Sequence, residues 1–552
     1  MSVETRLTPK LIAGYNEGGY WSDVTVGERL DRIIAASPNK TAVIDATRQV
    51  TYEEFGRLVD GLALGLYGLG IDKGDRITAQ LPNRVEALAV YFAAAKIGAV
   101  LCPVVPYYRA AEVRYILERS ESVALLLPDS FGGFDYLQML DEIRSHAPAL
   151  RDVIVLGEEV PRGMLSFHKL VDEGWAASSG AGAAARLAGL RPLANDPLAL
   201  MFTSGTEAAP KAPILTHNTI HNVRLYNPGL ELTEHDIQLC LAPVYHALGL
   251  AVGAHLVLAE VGATCVWMDS FEPGQALRLI ERTRVTSVVG VPPQALAMLN
   301  YPDLKNYDVS SLRVFLTGGA PMPAEGIRRL RAALGCGFIT QWGASESTGG
   351  PITRVDDPPE LAATTVGRPL DPAVEIAVFD EKRQRTLPPG QPGEMGIRGP
   401  FVHAGYFKDP ELTARSFHPD GWFFTGDSVM VDEMGYVTFV SRIKDVINRG
   451  GEKISPREVE EHLYAHPKVM AVAMVGMPDP RLGERNCVYV VPRPGETITL
   501  EEIVAFLQDR GIATVKLPER LEVVESLPLT ASGKVRKNLL REDVTRKLRG
   551  ET

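Results

Sequence analysis

Apolar and polar positions along the first part of the chain alternate between strand-like and helix-like periods. Thr41–Val50 predicts a hairpin. Thr51 and Glu54 then form a capping-box pair ahead of an apolar-periodic segment that ends near Gly70, which predicts a helix. Ile77–Leu81 predicts a strand and Arg84–Ile97 a helix. The most apolar stretch, Ala87 to Val105, contains Lys96, Gly98 and Pro103, so it predicts a buried helix followed by a strand, not a membrane span. Ala176 to Ala185 consists of Ala, Ser and Gly alone and predicts a flexible linker that closes a first α/β block.

The next block is a clearer strand–helix series. Strands are expected at Leu198–Phe202, Ala263–Met268, Ser287–Val291, Val314–Leu316 and Phe338–Gln341, with helices at Gln275–Thr283 and Ala324–Leu334. That alternation predicts parallel sheets covered by helices. Beyond Gly367 short strands with Gly and Pro punctuation predict a smaller β-rich unit to about Val440. A last unit starts near Arg442. Ser455, Pro456 and Glu458 predict a capped helix to about His466, Val469–Val475 and Cys487–Val491 strands, and Thr499 with Glu502 another capped helix.

Composition narrows the function classes. Of 552 residues, 45% are hydrophobic and 23% charged, enough for several cores and incompatible with global disorder. Lys plus Arg number 57 against 68 Asp plus Glu, a net charge of −11 that argues against a general nucleic-acid binder. Five cysteines without C-x-x-C spacing argue against a zinc ribbon or a disulfide framework. The opening MSVETRLTPKLIAGYNEG lacks an apolar signal core, so a cytoplasmic enzyme is expected.

Five segments carry candidate chemistry. TSGTEAAPKA, Thr203 to Ala212, follows an apolar strand with hydroxyls, glycine and a lysine, the makings of a phosphate cradle; the bland alternative is a polar turn. It is not G-x-x-x-x-G-K-[ST], which excludes the common nucleotide P-loop. QWGASES, Gln341 to Ser347, offers Glu346 as an oxygen ligand for Mg²⁺, against an ordinary loop carboxylate. GWFFTGD, Gly421 to Asp427, places a carboxylate after a turn, where it accepts from a ribose diol or only serves the turn. Ser441–Glu460 is the fourth. In LPLTASGKVRKNLL, Leu527 to Leu540, Lys534 stands in a loop where it neutralises phosphate charge or is merely solvated.

Together, in this order and over nearly the whole chain from GYWSDVTVGERL onward, the five blocks resemble the adenylate-forming superfamily: acyl-CoA synthetases, aryl-AMP ligases, nonribosomal adenylation domains and luciferases. PDSFGGFDY, INRGGEKISPREVEEHL and PDPRLGERNCVYVVPR look most like the aryl-acid and cyclic-acid CoA ligase branch. The resemblance implies an α/β chain with a large N-terminal domain, residues 1–441, of two sheet–helix lobes plus a β-rich subdomain. A small mobile α/β C-terminal domain, residues 442–552, would rotate between two half-reactions. It implies ATP or AMP/acyl-AMP, Mg²⁺ and coenzyme A as cofactors.

By the same resemblance, Thr203, Ser204, Gly205, Thr206 and Lys211 lie on the triphosphate loop. Gly318, Gly319 and Ala320, with Gln341, Trp342, Gly343 and Ser345, frame the adenine and the rim of the acyl pocket. Glu346 binds Mg²⁺, Asp427 the ribose, and Arg442 the ribose or phosphate. Lys444 is the hinge, Lys534 stabilises the adenylation transition state, and Gly450 and Gly451 border a pantetheine tunnel. His246 gates the pocket or is a packed core histidine; His217 and His221 have i, i+4 spacing but lack a third zinc ligand.

Two departures from the family pattern matter. The phosphate loop carries Glu207, Ala208 and Ala212 where a threonine and two glycines are usual, followed by Pro213. Alanine resists positive φ and proline lacks an N–H, so weak self-adenylation is expected, with acyl-AMP supplied by a separate enzyme. A complete ATP-dependent synthetase, loading of a carrier protein and a non-catalytic acyl-adenylate binder stay open as alternatives. Second, Ala247 and Val252 stand where hydroxybenzoate-activating relatives place an amide or hydroxyl, which predicts a hydrophobic cyclic, polycyclic or fatty acid. Small residues at 247, 249, 318 and 349 are expected to leave room for bulk.

Overall fold

The computed structural model describes residues 3–158, 160–177, 182–203, 210–319, 322, 324–530 and 534–550. Two seven-stranded sheets dominate. One runs, in spatial order, through the strands starting at residues 337, 314, 287, 237, 264, 41 and 49; the other through those starting at 214, 197, 100, 76, 124, 152 and 165. Every pairing in both is parallel except one edge of each, Thr41–Ile44 with Gln49–Thr51 and Pro197–Leu200 with Ile214–Thr216. The expected parallel sheets under helices are present, but the two lobes are interleaved in sequence. The N-terminal hairpin completes the sheet built from residues 237–341, while Pro197–Leu200 and Ile214–Thr216 complete the sheet of the first block.

The expected linker is a correction. Ala176 and Ala177 end the helix Phe167–Ala177, and Gly182–Leu190 is helical, with residues 178–181 outside the described ones. Alanine carries the best helix propensity, and here it outweighs the small-residue composition that suggested a linker.

The helix Val85–Ile97 is buried at every position, matching the all-apolar stretch in the sequence. Its one ammonium, Lys96, is neutralised by Asp31 and Asp60 at 2.5 Å each. One core cluster takes side chains from both large sheets and from this helix, so the sheets share an interior. A four-stranded antiparallel sheet, Glu375–Arg442, forms the β-rich unit with its own core. Residues from Ile447 onward form a five-stranded sheet with cores on both faces. Ser455 sits at the expected N-cap of Pro456–Tyr464, but its hydroxyl donates to the Val440 carbonyl at 2.9 Å instead of capping. No helix among the described residues is long and apolar enough to cross a membrane.

Candidate active site

The site is built at the C-terminal ends of parallel strands, where open α/β sheets bind ligands. Val314–Gly318 and Gly337–Gln341 are neighbours in register, Gly318 opposite Gln341. The chain then turns away at Gly319, φ +80°, and at the segment 342–347. A Cβ at Gly318 would lie 2.9 Å from Gln341 Cγ, so the glycine leaves the place that this side chain fills.

A cavity of about 70 Å³ opens here, and six of the predicted site residues line it: His246, Gly319, Gln341, Gly343, Ser345 and Lys534. Lys534 arrives from the small C-terminal unit, where its N–H donates to Thr530 Oγ1 at 3.0 Å and Leu529 bridges Val535. Desolvation and the positive charge of Arg442 lower its pKa to about 8, against the opposing pull of Asp427 and Glu346. Burial, then Lys534, lowers His246 to about 4, so it is neutral at pH 7.

The other wall carries Asp427. It faces Arg442 across an antiparallel strand pair, with Arg442 Nε 3.2 Å from Oδ1, while Trp342 Nε1 donates to Oδ2 at 2.7 Å. Asp427 is 4% exposed, and Oδ1 receives no aligned donor, so a buried acceptor is left unmatched.

Glu346 accepts from the Tyr406 hydroxyl at 3.1 Å. Lys211 Nζ stands 5.9 Å from the Tyr406 ring centroid, so this tyrosine joins the phosphate-loop lysine to the predicted metal ligand. Motif reading missed it; its only trace is GYFKDP, residues 405–410, between the second and third strands of the β-rich sheet. Among the described residues no three His, Cys, Asp or Glu side chains converge on a metal position. A cation here would be held by Glu346 together with phosphate oxygens, and a hard carboxylate suits Mg²⁺.

Only the base of the predicted phosphate loop is described. Thr203 N–H donates to the Lys211 carbonyl at 2.8 Å and Met201 N–H to that of Pro213 at 3.1 Å. Ser204, Gly205 and Thr206 lie outside the described residues, as do Glu207, Ala208 and Ala320. Ala212 is buried in the core, and positive φ among described non-glycine residues is confined to Glu121, Glu231, Arg284, Arg383 and Lys408. The strain expected at Ala212 is therefore absent.

Leu248–Val261, not foreseen as an element, winds as a π-helix beside the cavity and contributes Leu248, Ala251 and Val252 to its lining. Apolar but for His255 and Glu260, it has no amphipathic period to read. A buried network built on these two residues holds it in place. Glu260 Oε1 lies 2.9 Å from both His221 Nδ1 and His255 Nε2, and Tyr91 O–H meets His255 Nδ1 at 3.0 Å. His217 takes the Val26 N–H at 3.2 Å, so the i, i+4 histidine pair is structural and not a zinc site.

The expected extra room is also corrected. A Cβ at Gly249 would lie 2.0 Å from the Pro243 carbonyl, and one at Gly349 2.6 Å from the Phe401 ring. These glycines, like Gly318, admit neighbouring protein atoms. Gly450 and Gly451, φ +62° and +96°, form the turn between Ile447–Arg449 and Glu452–Ile454 and do not line the cavity. Lys444 lies in the short turn Ile443–Asp445, and its carbonyl accepts from Arg541 at 3.3 Å. A larger recess of about 340 Å³, between Glu4–Arg6 and the segment 404–414, contains none of the predicted residues.

A doubly wound α/β body with a small α/β unit delivering a lysine beside a carboxylate–arginine pair defines an adenylate-handling enzyme. The comparisons agree with it. Residues 30–407 match the AMP-binding enzyme family and residues 458–534 the AMP-binding enzyme C-terminal domain, so the chain belongs to the adenylate-forming ligases. It is 36% identical to a medium-chain fatty-acid–CoA ligase of Escherichia coli K12, covering 99% of this chain and 95% of that protein. It is also 36% identical to a 2,3-dihydroxybenzoate-AMP ligase of Bacillus subtilis 168, covering 98% and 97%. Among solved structures, ATP-bound MatB from Rhodopseudomonas palustris superposes with a TM-score of 0.84 at 28% identity, covering 94% of this chain and 99% of that one.

Proposed function

We propose that this chain joins a compact hydrophobic carboxylic acid to the thiol of coenzyme A through an acyl-adenylate, with adenylation the weaker half-reaction. The observation carrying the ligase reading is Lys534, brought from the C-terminal unit into the cavity that Gly319 and Gln341 line. The acid's carboxylate attacks the α-phosphorus of ATP and pyrophosphate leaves; an ammonium there offsets the charge that develops between them. Glu346 is the residue that would hold Mg²⁺, which supplies further charge neutralisation when bound. Asp427 and Arg442 would hold the ribose. The thiol then attacks the acyl carbonyl and AMP departs. The small cavity and the filled positions at Gly249, Gly318 and Gly349 favour a compact acid over a polycyclic one.

Weak adenylation rests on Glu207 and Ala208, since Ala212 is unstrained. A complete ATP-dependent synthetase is the second reading, supported by that same Ala212 and by a Lys534 that lines the cavity. A carrier-protein thiol as acceptor finds support in a 34% identical salicyl-AMP ligase / salicyl-S-ArCP synthetase of Mycobacterium tuberculosis H37Rv. Thioester yield by mass spectrometry separates the readings. One arm receives acid, ATP, Mg²⁺ and coenzyme A; the other receives synthetic acyl-AMP and coenzyme A. Product mainly from acyl-AMP supports the proposal, equal product in both arms supports the complete synthetase, and product in neither overturns the CoA ligase reading.

A further inference from the structure

The polar side chains around the cavity are mostly spoken for. Tyr226 donates its hydroxyl to the Trp342 carbonyl at 2.7 Å, Ser347 to that of Gly349 at 2.6 Å, and Thr348 to that of Thr219 at 2.8 Å. His246 Nδ1 accepts the Leu248 N–H at 3.3 Å. Gln341 differs. It is 7% exposed, it lines the cavity, and its Oε1 is buried without a hydrogen-bond partner. One glycine makes the place for it: a Cβ at Gly318 would lie 2.9 Å from its Cγ and 3.1 Å from its Nε2. An orphaned amide oxygen in a low-dielectric pocket is destabilising, and a methionine or leucine of similar volume would avoid that cost. The wall formed by Ala247, Leu248, Ala251, Val252 and Val291 is apolar, so it offers no partner to a polar substituent.

We infer that Gln341 reads a hydrogen-bond donor, an amino or hydroxyl group carried on the ring or chain of the acid, by accepting it at the side-chain amide. The inference rests on the ligase reading above and deepens it. The apolar Ala247 and Val252 remove a polar reader from the helix side of the pocket; Gln341 supplies one from the end of a strand. The preferred acid is then compact and hydrophobic with one N–H or O–H group, not wholly hydrocarbon.

The test compares size-matched acids, 3- and 4-aminobenzoate and 3- and 4-hydroxybenzoate against 3- and 4-methylbenzoate, in wild type, Gln341→Leu and Gln341→Glu. The first readout is kcat/KM for thioester formation from the synthetic acyl-AMPs. The second is equilibrium binding of the corresponding acyl-sulfamoyl adenosines, which needs no turnover. In wild type at least one donor-bearing acid is expected to exceed its methyl partner about tenfold or more. Gln341→Leu should abolish or reverse that ratio, and Gln341→Glu, which retains an acceptor, should keep it. Thermal melting verifies that each variant is folded, and the Glu variant decides the matter should the Leu variant fail. A wild-type preference for methyl in every pair, or a ratio that Gln341→Leu leaves unchanged, overturns the inference. Absence of any thioester defeats only the ligase reading, because the binding ratios still decide the role of Gln341.

Discussion

The ammonium of Lys534 provides a pH signature that a surface lysine would not have. Its pKa is about 8, against the ordinary 10.5, mainly because burial desolvates it and Arg442 repels it. At about 1.4 kcal/mol per unit, the site withholds roughly 3 kcal/mol from the cation until phosphates arrive. Only the protonated form stabilises the adenylation transition state, and it predominates below the shifted pKa. The sign therefore runs one way: kcat/KM for adenylation, which reports the free enzyme, should be level from pH 6.5 to 7.5 and fall above pH 8. Between pH 7 and pH 9 the charged fraction drops about tenfold, and kcat/KM should follow. A carboxylic acid substrate with an ordinary pKa is fully ionised throughout, so it adds no inflection. The assay is acid-dependent pyrophosphate release across pH 6.5–9.5, in wild type and Lys534→Ala. The variant should be slow, with no inflection near pH 8. A wild-type profile still level at pH 9.5, or parallel profiles in the two proteins, would refute the reasoning.

In the phosphate loop, Ala208→Gly should raise pyrophosphate release, whereas Ala212→Gly should leave it unchanged and lower stability by about 0.5–1 kcal/mol, read by denaturant titration. Tyr406→Phe removes the hydroxyl that holds Glu346. Pyrophosphate release should fall about fivefold to tenfold at limiting Mg²⁺ and recover as Mg²⁺ is raised, and an unchanged Mg²⁺ requirement would count against a positioning role. Burial alone would raise the pKa of Glu260, but the bonds from His221 and His255 outweigh it and hold it at about 2. A carboxylate with a depressed folded pKa stabilises the fold above its unfolded value near 4.5, and that stability drains away as pH falls towards 2. Glu260→Gln should therefore cost about 3 kcal/mol in urea unfolding at pH 7 and markedly less at pH 3.

The elements legible in the sequence were those whose burial leaves a period or a cap. Val85–Ile97, Ala324–Leu334 and the capping boxes at Thr51 and Thr499 stand where the patterns put them. What periodicity does not carry is pairing. Thr41–Ile44 and Pro197–Leu200 read as strands of the blocks in which they occur, yet each completes the other sheet, a choice made by long-range packing. The π-helix has no legible signal because a segment apolar but for His255 and Glu260 presents no period, and the small-residue composition at 176–185 hides alanine's helix propensity. In the site, the motifs pick out six residues that line one cavity, because blocks of glycine, hydroxyl and charged side chains stand out in a sequence. Tyr406 was not legible, because a positioning tyrosine has no signature beyond its contact.

Glycine gave the most misleading sequence signal, for a physical reason. A missing side chain marks the place where something else is close, and the sequence does not say whether that neighbour is ligand or protein. At Gly249 it is the Pro243 carbonyl, at Gly349 the Phe401 ring, and at Gly318 the side chain of Gln341. The first two only pack. The third delivers an amide into the acyl cavity, so the residue first taken as open space for a larger acid instead admits the group that would select a particular one. Shape and polarity in this pocket are thus set together: Gly318 accommodates Gln341, and Gln341 both occupies the volume and supplies the unmatched acceptor. Substituting alanine at Gly318 should consequently displace the amide and weaken donor selectivity without enlarging the pocket, an outcome that a purely steric account of the cavity does not give.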